Sequence, residues 1–518
     1  MKPLCIIIYI LLLSSTSFAT INIKVARSPI SNLIYQLNCV STHSQHCNYQ
    51  AYAKLWENNF LQSEKDKKLI HQWQTLLAKF NNKDWFEQTN LSQPLHIASL
   101  HAQNLNSYFE KLAFIPLPRD KEKIKNIISH FYPAFIQWWN KEAKLKTIHF
   151  KLQLQQLLEQ QMIATKINQF ANFYVADLPN DSVFTINLIY SPHLNDTPQH
   201  GEQIENYATI EFYPQQKPEL VISIALHELC HFFFNHSNKA NLVKLQNDFA
   251  KFNSLEATAA YNLMNEVVAT ALNQGMINYL HKTNKEWEIY LKQSQSFYDN
   301  NCYLDKAAKS LLPMLTTWLQ HKKTIFTIDF VEQYLKTLKD TFKNELLAPK
   351  VQLMQMNLYT NSKKNGLKFR DYITKLFAVS FLYVPETSTK AKESINHPNS
   401  YPLNSLIILC PEKKHAPKLK IHDSACKPKF VSAKTEKLPP VGFNEIANMK
   451  LLPPKQLASI EQEYNKHGKA IFSYKTTPAG IMYVIVAKDQ NTIFALLKIL
   501  AELKTGFIGF LQLNTLTT

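Results

Sequence analysis

The chain contains very little glycine, with eight residues in 518, about a fifth of average usage. Neither GxGxxG nor GxxxxGK[ST] occurs, so the loops with which dinucleotide-binding folds and P-loop enzymes hold phosphates are absent. Hydrophobic residues make up 45% and charged residues 19%, which excludes a disordered chain. The composition indicates a globular protein long enough for several domains.

Long apolar runs are also absent, except in the first residues, which have the pattern of a signal peptide. Lys2 precedes an unbroken apolar run, Leu4–Leu13, and Ser17-Phe18-Ala19 has small residues at the spacing of a cleavage site. This run is too short to cross a bilayer, which needs about twenty residues. We expect residues 1–19 to be removed and the protein to be exported, to the periplasm or beyond the cell; an uncleaved anchor is the alternative.

Cysteine usage fits export. Loss of Cys5 with the signal leaves six cysteines, and an even number in an exported chain favours disulfides. Cys230 and Cys302 could pair or stay as buried thiols. Two neighbouring pairs are close enough in sequence to close small loops, Cys39 with Cys47 and Cys410 with Cys426.

Positive charge is in excess, with 57 Lys+Arg against 40 Asp+Glu and a formal net charge of +17. The lysines are dispersed along the chain, which is typical of solvated faces and does not indicate a nucleic-acid site. We expect no nucleic-acid partner and at most a weak association with anionic envelope surfaces.

Changes of pattern divide the rest of the chain into three regions. Residues 20–175 have apolar residues three and four apart, which predicts a helical N-terminal region. In residues 176–348, runs at 183–190 and 208–213 predict strands joined by a polar turn that includes Gly201. A helix from about Pro218 to Phe234 and further helices follow.

Residues 349–518 are expected to form a C-terminal α+β region. A Lys/Ser/Pro-rich linker lies near 385–402, strands are predicted at 405–410 and 481–487, and a helix at 492–503. The fold class predicted for the whole chain is α+β and predominantly helical, with a small β-strand subdomain before the helix that carries the motif described next.

One motif carries chemistry: residues 227–231 read HELCH, an HExxH sequence, inside an apolar run that predicts a buried helix. On that helix His227 and His231 lie one turn apart on one face, which suits two imidazoles on one metal ion. Glu228 is rotated by about 100°, so it can reach a metal-activated water without binding the metal. Buried polar groups need a partner. The structural alternative is two satisfied core histidines with a salt-bridged Glu228.

The third ligand decides the class of site. A metzincin-type histidine would stand six residues after the second one, and that residue is Ser237. His236 is one residue short, and we expect it to end the helix, where a cation is favoured. A downstream glutamate is the other source. Glu256 follows Asn253 at the spacing of a capping box with Asn253 as N-cap, which gives it a structural role.

Glu266 is the stronger candidate for the third ligand. It lies in the middle of a predicted helix, and its neighbours three and four residues away include no basic residue. A carboxylate without a local counter-charge needs a cation from elsewhere. We therefore favour Glu266 over Glu256.

HELCH followed, 35 residues after His231, by Asn265-Glu266-Val267-Val268-Ala269 resembles the gluzincin group of zinc metallopeptidases. The resemblance implies a zincin-like domain in residues 176–348, a Zn²⁺ ion held by His227, His231 and Glu266, and Glu228 as general base. The chain departs from the pattern at Thr270. Thermolysin-like members have an aspartate there that orients a zinc-bound histidine, so here either the surroundings of the ligands differ or another group makes that contact.

These observations predict an exported zinc metallopeptidase that hydrolyses peptide bonds with a zinc-activated water and Glu228 as proton carrier. A strand edge before the helix could pair with an extended peptide substrate. The group that stabilises the oxyanion stays open among four downstream residues, Tyr279, His281, Tyr298 and Tyr303.

Two other functions are weighed against this one. An exported binding or envelope-interaction protein could hold a structural or degenerate zinc site, in which Glu228 has no role. A zinc amidase would instead act on a non-peptide amide such as a cell-wall linkage, because the motif alone does not identify the substrate.

Overall fold

The structure is a computed structural model. It describes residues 21–42, 47, 49–79, 92–115, 117–179, 181–192, 201–280, 282–294, 296–297, 301–360, 369, 372–373, 376–377, 381–383, 404–410, 452–476 and 480–511. The predicted signal peptide and the linker near 385–402 lie outside the described residues.

Most of the described chain is helical, and the class is α+β, as predicted. The α-helices are α1 Pro29–Thr42, α2 Tyr49–Asn59, α3 Glu64–Lys79, α4 Ser92–Leu100, α5 Leu105–Lys111, α6 Pro118–Trp138, α7 Lys144–Leu158, α8 Gln161–Tyr174, α9 Pro218–Asn235, α10 Lys239–Ala250, α11 Leu255–Thr270, α12 Asn278–Leu280, α13 Asn284–Lys292, α14 Cys302–Gln320, α15 Ile328–Phe342, α16 Pro349–Gln352, α17 Pro454–His467 and α18 Gln490–Glu502. None of the described helices is both long and apolar enough to cross a membrane.

The first sheet has four strands in the order β1-β2-β4-β3. Its strands are β1 Asn22–Ala26, β2 Val183–Tyr190, β3 Gly201–Ile204 and β4 Tyr207–Phe212. Strands β1, β2 and β4 are parallel, whereas β3 is antiparallel to β4 and forms one edge. The sheet therefore joins residues from the start of the described chain to residues more than 150 positions later.

Two of these strands differ from the sequence prediction. Strand β1 lies in a region that was predicted to be helical. The sequence does not reveal it, because five residues give too little periodicity to recognise and the strand depends on its pairing with β2. Gly201 was predicted to lie in a turn, but it begins β3. The turn between β3 and β4 is Glu205-Asn206, and Glu205 takes the left-handed conformation (φ 52°) that a two-residue hairpin requires.

Helices cover both faces of this sheet. On one face, rings from α9 and α7 pack against the strands, with Phe232 on Phe184 (centroids 5.2 Å apart) and Phe150 on Phe212 (4.5 Å). On the other face, α1 and α4 meet polar strand residues, among them Thr209 of β4, whose hydroxyl lies 3.1 Å from Nε2 of His96 on α4. The alternation of side chains along each strand thus places α9 on the apolar face.

One hydrophobic core extends from Val25 to Met354 and includes residues on both sides of position 175. The second sheet lies beyond it, with strands β5 Gln355–Thr360, β6 Phe381–Tyr383, β7 Ser405–Leu409, β8 Lys469–Thr476, β9 Gly480–Ala487 and β10 Gly509–Phe510 in the order β10-β8-β9-β7-β5-β6. Separate clusters cover its two faces, and alternate residues of β7 and β9 enter each. The domain boundaries proposed from the sequence stay predictions.

Candidate metal centre

Helix α9 positions the HExxH residues. Pro218 occupies the first turn, where its missing N–H costs nothing, and the helix ends at His236, whose Nδ1 lies 2.9 Å from the carbonyl oxygen of Phe232. His227 and Glu228 are buried between the sheet and the helices behind it. Ser237, at the metzincin position, is buried and donates its hydroxyl to the carbonyl of Tyr174.

Helix α11 crosses behind α9 and carries Glu266. Its N-cap is Ser254, whose hydroxyl accepts from the N–H of Ala257, so the prediction that Asn253 is the N-cap is wrong. The reason is backbone conformation: Asn253 has a φ of +42°, whereas Ser254 is extended as an N-cap must be. Glu256 lies in the first turn, where the helix dipole favours an acid.

His227, His231 and Glu266 come together as a group that could hold a metal ion, and their ligand atoms all lie within 4.8 Å of one another. The two Nε2 atoms are 3.0 Å apart, and each lies 3.4 Å from an oxygen of Glu266. Ligands about 2.0–2.1 Å from a tetrahedral zinc are separated by roughly 3.3 Å. The two 3.4 Å separations involve different oxygens of the carboxylate, and together with the 3.0 Å between the imidazole nitrogens they lie close to that value.

Asn265 orients one of the two histidines. Its Oδ1 lies 3.2 Å from His231 Nδ1 and accepts the proton there, which leaves Nε2 with its lone pair directed at the group. This lone pair and the Glu266 carboxylate then face one another, 3.4 Å apart at the nearest atoms, an arrangement that a cation stabilises. The Thr270 hydroxyl is buried and has no hydrogen-bond partner among the described residues. The orienting contact that the sequence left open at Thr270 is therefore made by Asn265.

The charge state of Glu266 supports its role as a ligand. Burial by itself would raise the pKa of Glu266, but the neighbouring His231 and His227 outweigh burial and lower this pKa to about 2. The side chains of His227, His231 and Glu266 are 6, 13 and 15% exposed. The group is thus shielded but still reached by solvent, as an open ligand position requires.

Glu228 lies beside the group, against the edge strand β3. A Cβ atom added at Gly201 would lie 3.3 Å from Glu228 Oε1, so the strand passes very close to this carboxylate. The backbone N–H of Gln203 donates to Glu228. Burial, together with the charges of Glu266 and Glu202, raises the pKa of Glu228 to about 7 despite that hydrogen bond and nearby His231.

A buried polar contact lies behind α9. Asn273, in a π-helical stretch Ala271–Ile277 that follows α11, donates to Cys230 Sγ at 3.0 Å. Burial raises the pKa of the Cys230 thiol to about 12, so it is no thiolate nucleophile. Cys230 is buried and Cys302 exposed, and both are free, so they do not pair with each other. The predicted disulfide Cys39–Cys47 is confirmed, whereas Cys426 lies outside the described residues.

The structure does not select an oxyanion-stabilising residue. The Tyr279 hydroxyl lies 3.5 Å from Asn284 Oδ1, and the Tyr303 ring packs on Phe342. His281 and Tyr298 lie outside the described residues.

Comparison with protein-family models, with curated proteins and with solved structures finds no match for this chain.

Proposed function

We propose that the protein is a zinc-dependent hydrolase, most specifically an exported metallopeptidase. The observation that carries the proposal is the grouping of His227, His231 and Glu266, in which the two Nε2 atoms lie 3.0 Å apart and each lies 3.4 Å from one oxygen of the Glu266 carboxylate. Two imidazoles and one carboxylate are the donor set of a catalytic zinc site with one position left open.

The residues of this chain suit hydrolysis. Zinc held there would supply Lewis-acid chemistry, polarising a substrate carbonyl and making water more acidic. Glu228 stands beside the group and is not part of it, so its carboxylate can take a proton from the attacking water and return it to the leaving nitrogen. Asn265 keeps His231 in the tautomer that binds metal through Nε2.

The edge strand supports a peptide as substrate. Strand β3 pairs on one side with β4 and with no described strand on the other. An extended peptide could add to that free edge through backbone hydrogen bonds, and the scissile bond would then pass beside Glu228. Export is part of the proposal because of the signal-like N terminus and the Cys39–Cys47 disulfide, which forms in oxidising compartments.

The first experiment measures zinc per chain in the purified protein and in Glu266→Gln and Glu256→Gln. We expect one zinc in the parent and in the Glu256 variant. The Glu266 variant loses a direct ligand. Its affinity for zinc should therefore fall by more than the roughly 10- to 100-fold that is lost when an outer-shell partner is removed. A parent chain that binds no zinc under metal-replete conditions would refute the metal centre.

The second experiment tests catalysis. Zinc-loaded protein is incubated with a mixed peptide library, and Glu228→Gln, which keeps the size of the side chain, is the inactive control. Cleavage by the parent and loss of at least about 100-fold in the variant are expected. If the parent and Glu228→Gln bind zinc equally and neither cleaves a peptide, the binding-protein alternative is favoured. If amine is released only from cell-wall fragments, the amidase is favoured.

A further inference from the structure

A second feature, separate from the metal group, is a groove of about 550 Å³ at the β1 edge of the first sheet. It is shallow and broadly open to solvent. The residues that define it come from β1, the segment after β1, α4, α7, β2 and β4, and the main ones are Lys24, Arg27, Leu100, Lys151, Thr185 and Tyr207.

Strand register builds the floor of this groove. Lys24 on β1 is paired with Thr185 on β2, and Thr185 is paired with Tyr207 on β4. Residues at paired positions project from the same face of a sheet, so these three side chains form a row across the strands. Arg27 follows directly after β1, and Lys151 reaches the groove from α7. Elements distant in sequence thus bring three cations to one opening.

These three cations have no acidic partner in the part of the chain that the structure describes. No carboxylate of the described residues lies within 4.0 Å of Lys24, Arg27 or Lys151, although many other lysines form such pairs. Glu205, whose charge acts on Tyr207, has its Oε2 2.8 Å from His101 Nε2. His101 in turn contacts the Tyr207 hydroxyl at 3.3 Å. The Glu205 carboxylate is therefore engaged elsewhere.

We propose that this groove binds a phosphate-bearing ligand. Arg27 offers a planar fork for two oxygens, the two lysines offer point charges, and Thr185 offers a hydroxyl. A phosphate has three or more acceptor oxygens and up to two charges on one group, whereas a carboxylate has two oxygens and one charge. Three cations around one opening match the phosphate better. The broad opening lets the phosphate belong to a larger molecule, either a soluble phosphate or a lipid headgroup.

Binding is measured on the full mature protein with defined probes. Calorimetry uses pyrophosphate and tripolyphosphate, with citrate as a carboxylate of similar charge. Flotation uses vesicles of phosphatidylglycerol in phosphatidylcholine, and pure phosphatidylcholine as reference. Binding of the free phosphates alone identifies a soluble ligand, and binding of the anionic vesicles alone identifies a headgroup. Citrate binding as tight as that of tripolyphosphate would overturn the assignment to phosphate.

The decisive variant is Lys24→Gln/Arg27→Gln/Lys151→Gln. Its matched control carries the same change in net charge on exposed residues elsewhere, Lys65→Gln/Lys68→Gln/Arg119→Gln. We expect the groove variant to bind at least about tenfold more weakly, since it loses three contacts between exposed charges that are each worth about two- to fivefold in affinity, and the control to bind like the parent. Equal weakening in both variants, or no binding of any phosphate probe by the parent, would overturn the proposal.

Two further measurements keep the result interpretable. If the triple variant does not fold, the three single substitutions are measured separately, and each is expected to weaken binding about two- to fivefold; three singles that bind like the parent would overturn the proposal. The site does not depend on the proposed hydrolase activity. Glu266→Gln should bind the phosphate probes like the parent even if it loses zinc.

Discussion

Replacement of Gly201 by alanine tests how closely strand β3 packs on the helix that carries the HExxH motif. A Cβ atom at position 201 would lie 2.4 Å from Cγ2 of Ile224 on α9. This is more than 1 Å shorter than the about 3.5–4.0 Å at which two carbon atoms make favourable contact. Either Ile224 changes rotamer or the strand moves away from α9, and with it the N–H of Gln203 that donates to Glu228.

The cost follows from the type of change. Overpacking of a closely packed contact destabilises a protein by about 1–3 kcal/mol, and we expect Gly201→Ala to lower the free energy of unfolding by about 2 kcal/mol. Ile224→Ala removes the atom that clashes. In that background Gly201→Ala should cost less than about 0.5 kcal/mol, so the two substitutions should be coupled by about 1.5 kcal/mol.

The assay is urea-induced unfolding of the parent, both single variants and the double variant, followed by tryptophan fluorescence. All seven tryptophans lie between residues 56 and 318, so the signal reports on the part of the chain built around the first sheet. If Gly201→Ala costs the same with and without the Ile224 side chain, or costs nothing in the parent, the close approach of β3 to α9 is refuted.

Two further predictions concern Asn265, which contacts His231, and the buried His96. Asn265→Ala should weaken zinc binding about 10- to 100-fold, because His231 loses the acceptor for its Nδ1 proton. Asn262→Ala, a matched change on α11, should bind zinc like the parent. Zinc affinities are measured by chelator competition, and equal affinities of Asn265→Ala and the parent would contradict the prediction. His96 is buried, and burial lowers its pKa to about 4, below the unfolded value of about 6.5. Its contribution to stability is therefore complete above pH 6.5 and is lost as the pH falls towards 4. In urea titrations, His96→Gln should reduce the loss of unfolding free energy between pH 6.5 and 4 by about 3 kcal/mol. His71→Gln, a matched change at an exposed histidine, should show the same pH dependence as the parent.

Much of the local structure could be predicted from the sequence. The run Val183–Tyr190 was recognised as a strand to the residue, because β-branched and aromatic residues dominate it. The predicted end of helix α9 at Phe234 is within one residue of the observed end, because apolar residues dominate this segment. The same local reasoning puts His227 and His231 one turn apart, since a helix has a fixed pitch.

The choice of Glu266 over Glu256 also came from local chemistry. A carboxylate in the middle of a helix without a basic neighbour needs a distant cation, and the structure places Glu266 3.4 Å from both histidines. The capping residue was misassigned by one position, because a φ of +42° at Asn253 depends on how the loop before α11 is packed. Sequence spacing does not carry that information.

The features that local patterns do not predict are contacts between segments far apart in the chain. Strand β1 exists through pairing with residues more than 150 positions away, the edge strand β3 passes beside Glu228, and Asn265 supplies the acceptor that Thr270 does not. Helix pitch and strand alternation act over a few residues, so local patterns predict the strand Val183–Tyr190, helix α9 and its pair of histidines, but neither β1 nor β3. The remaining atoms of the site are brought together by packing, whose free energy is realised only when the whole core closes.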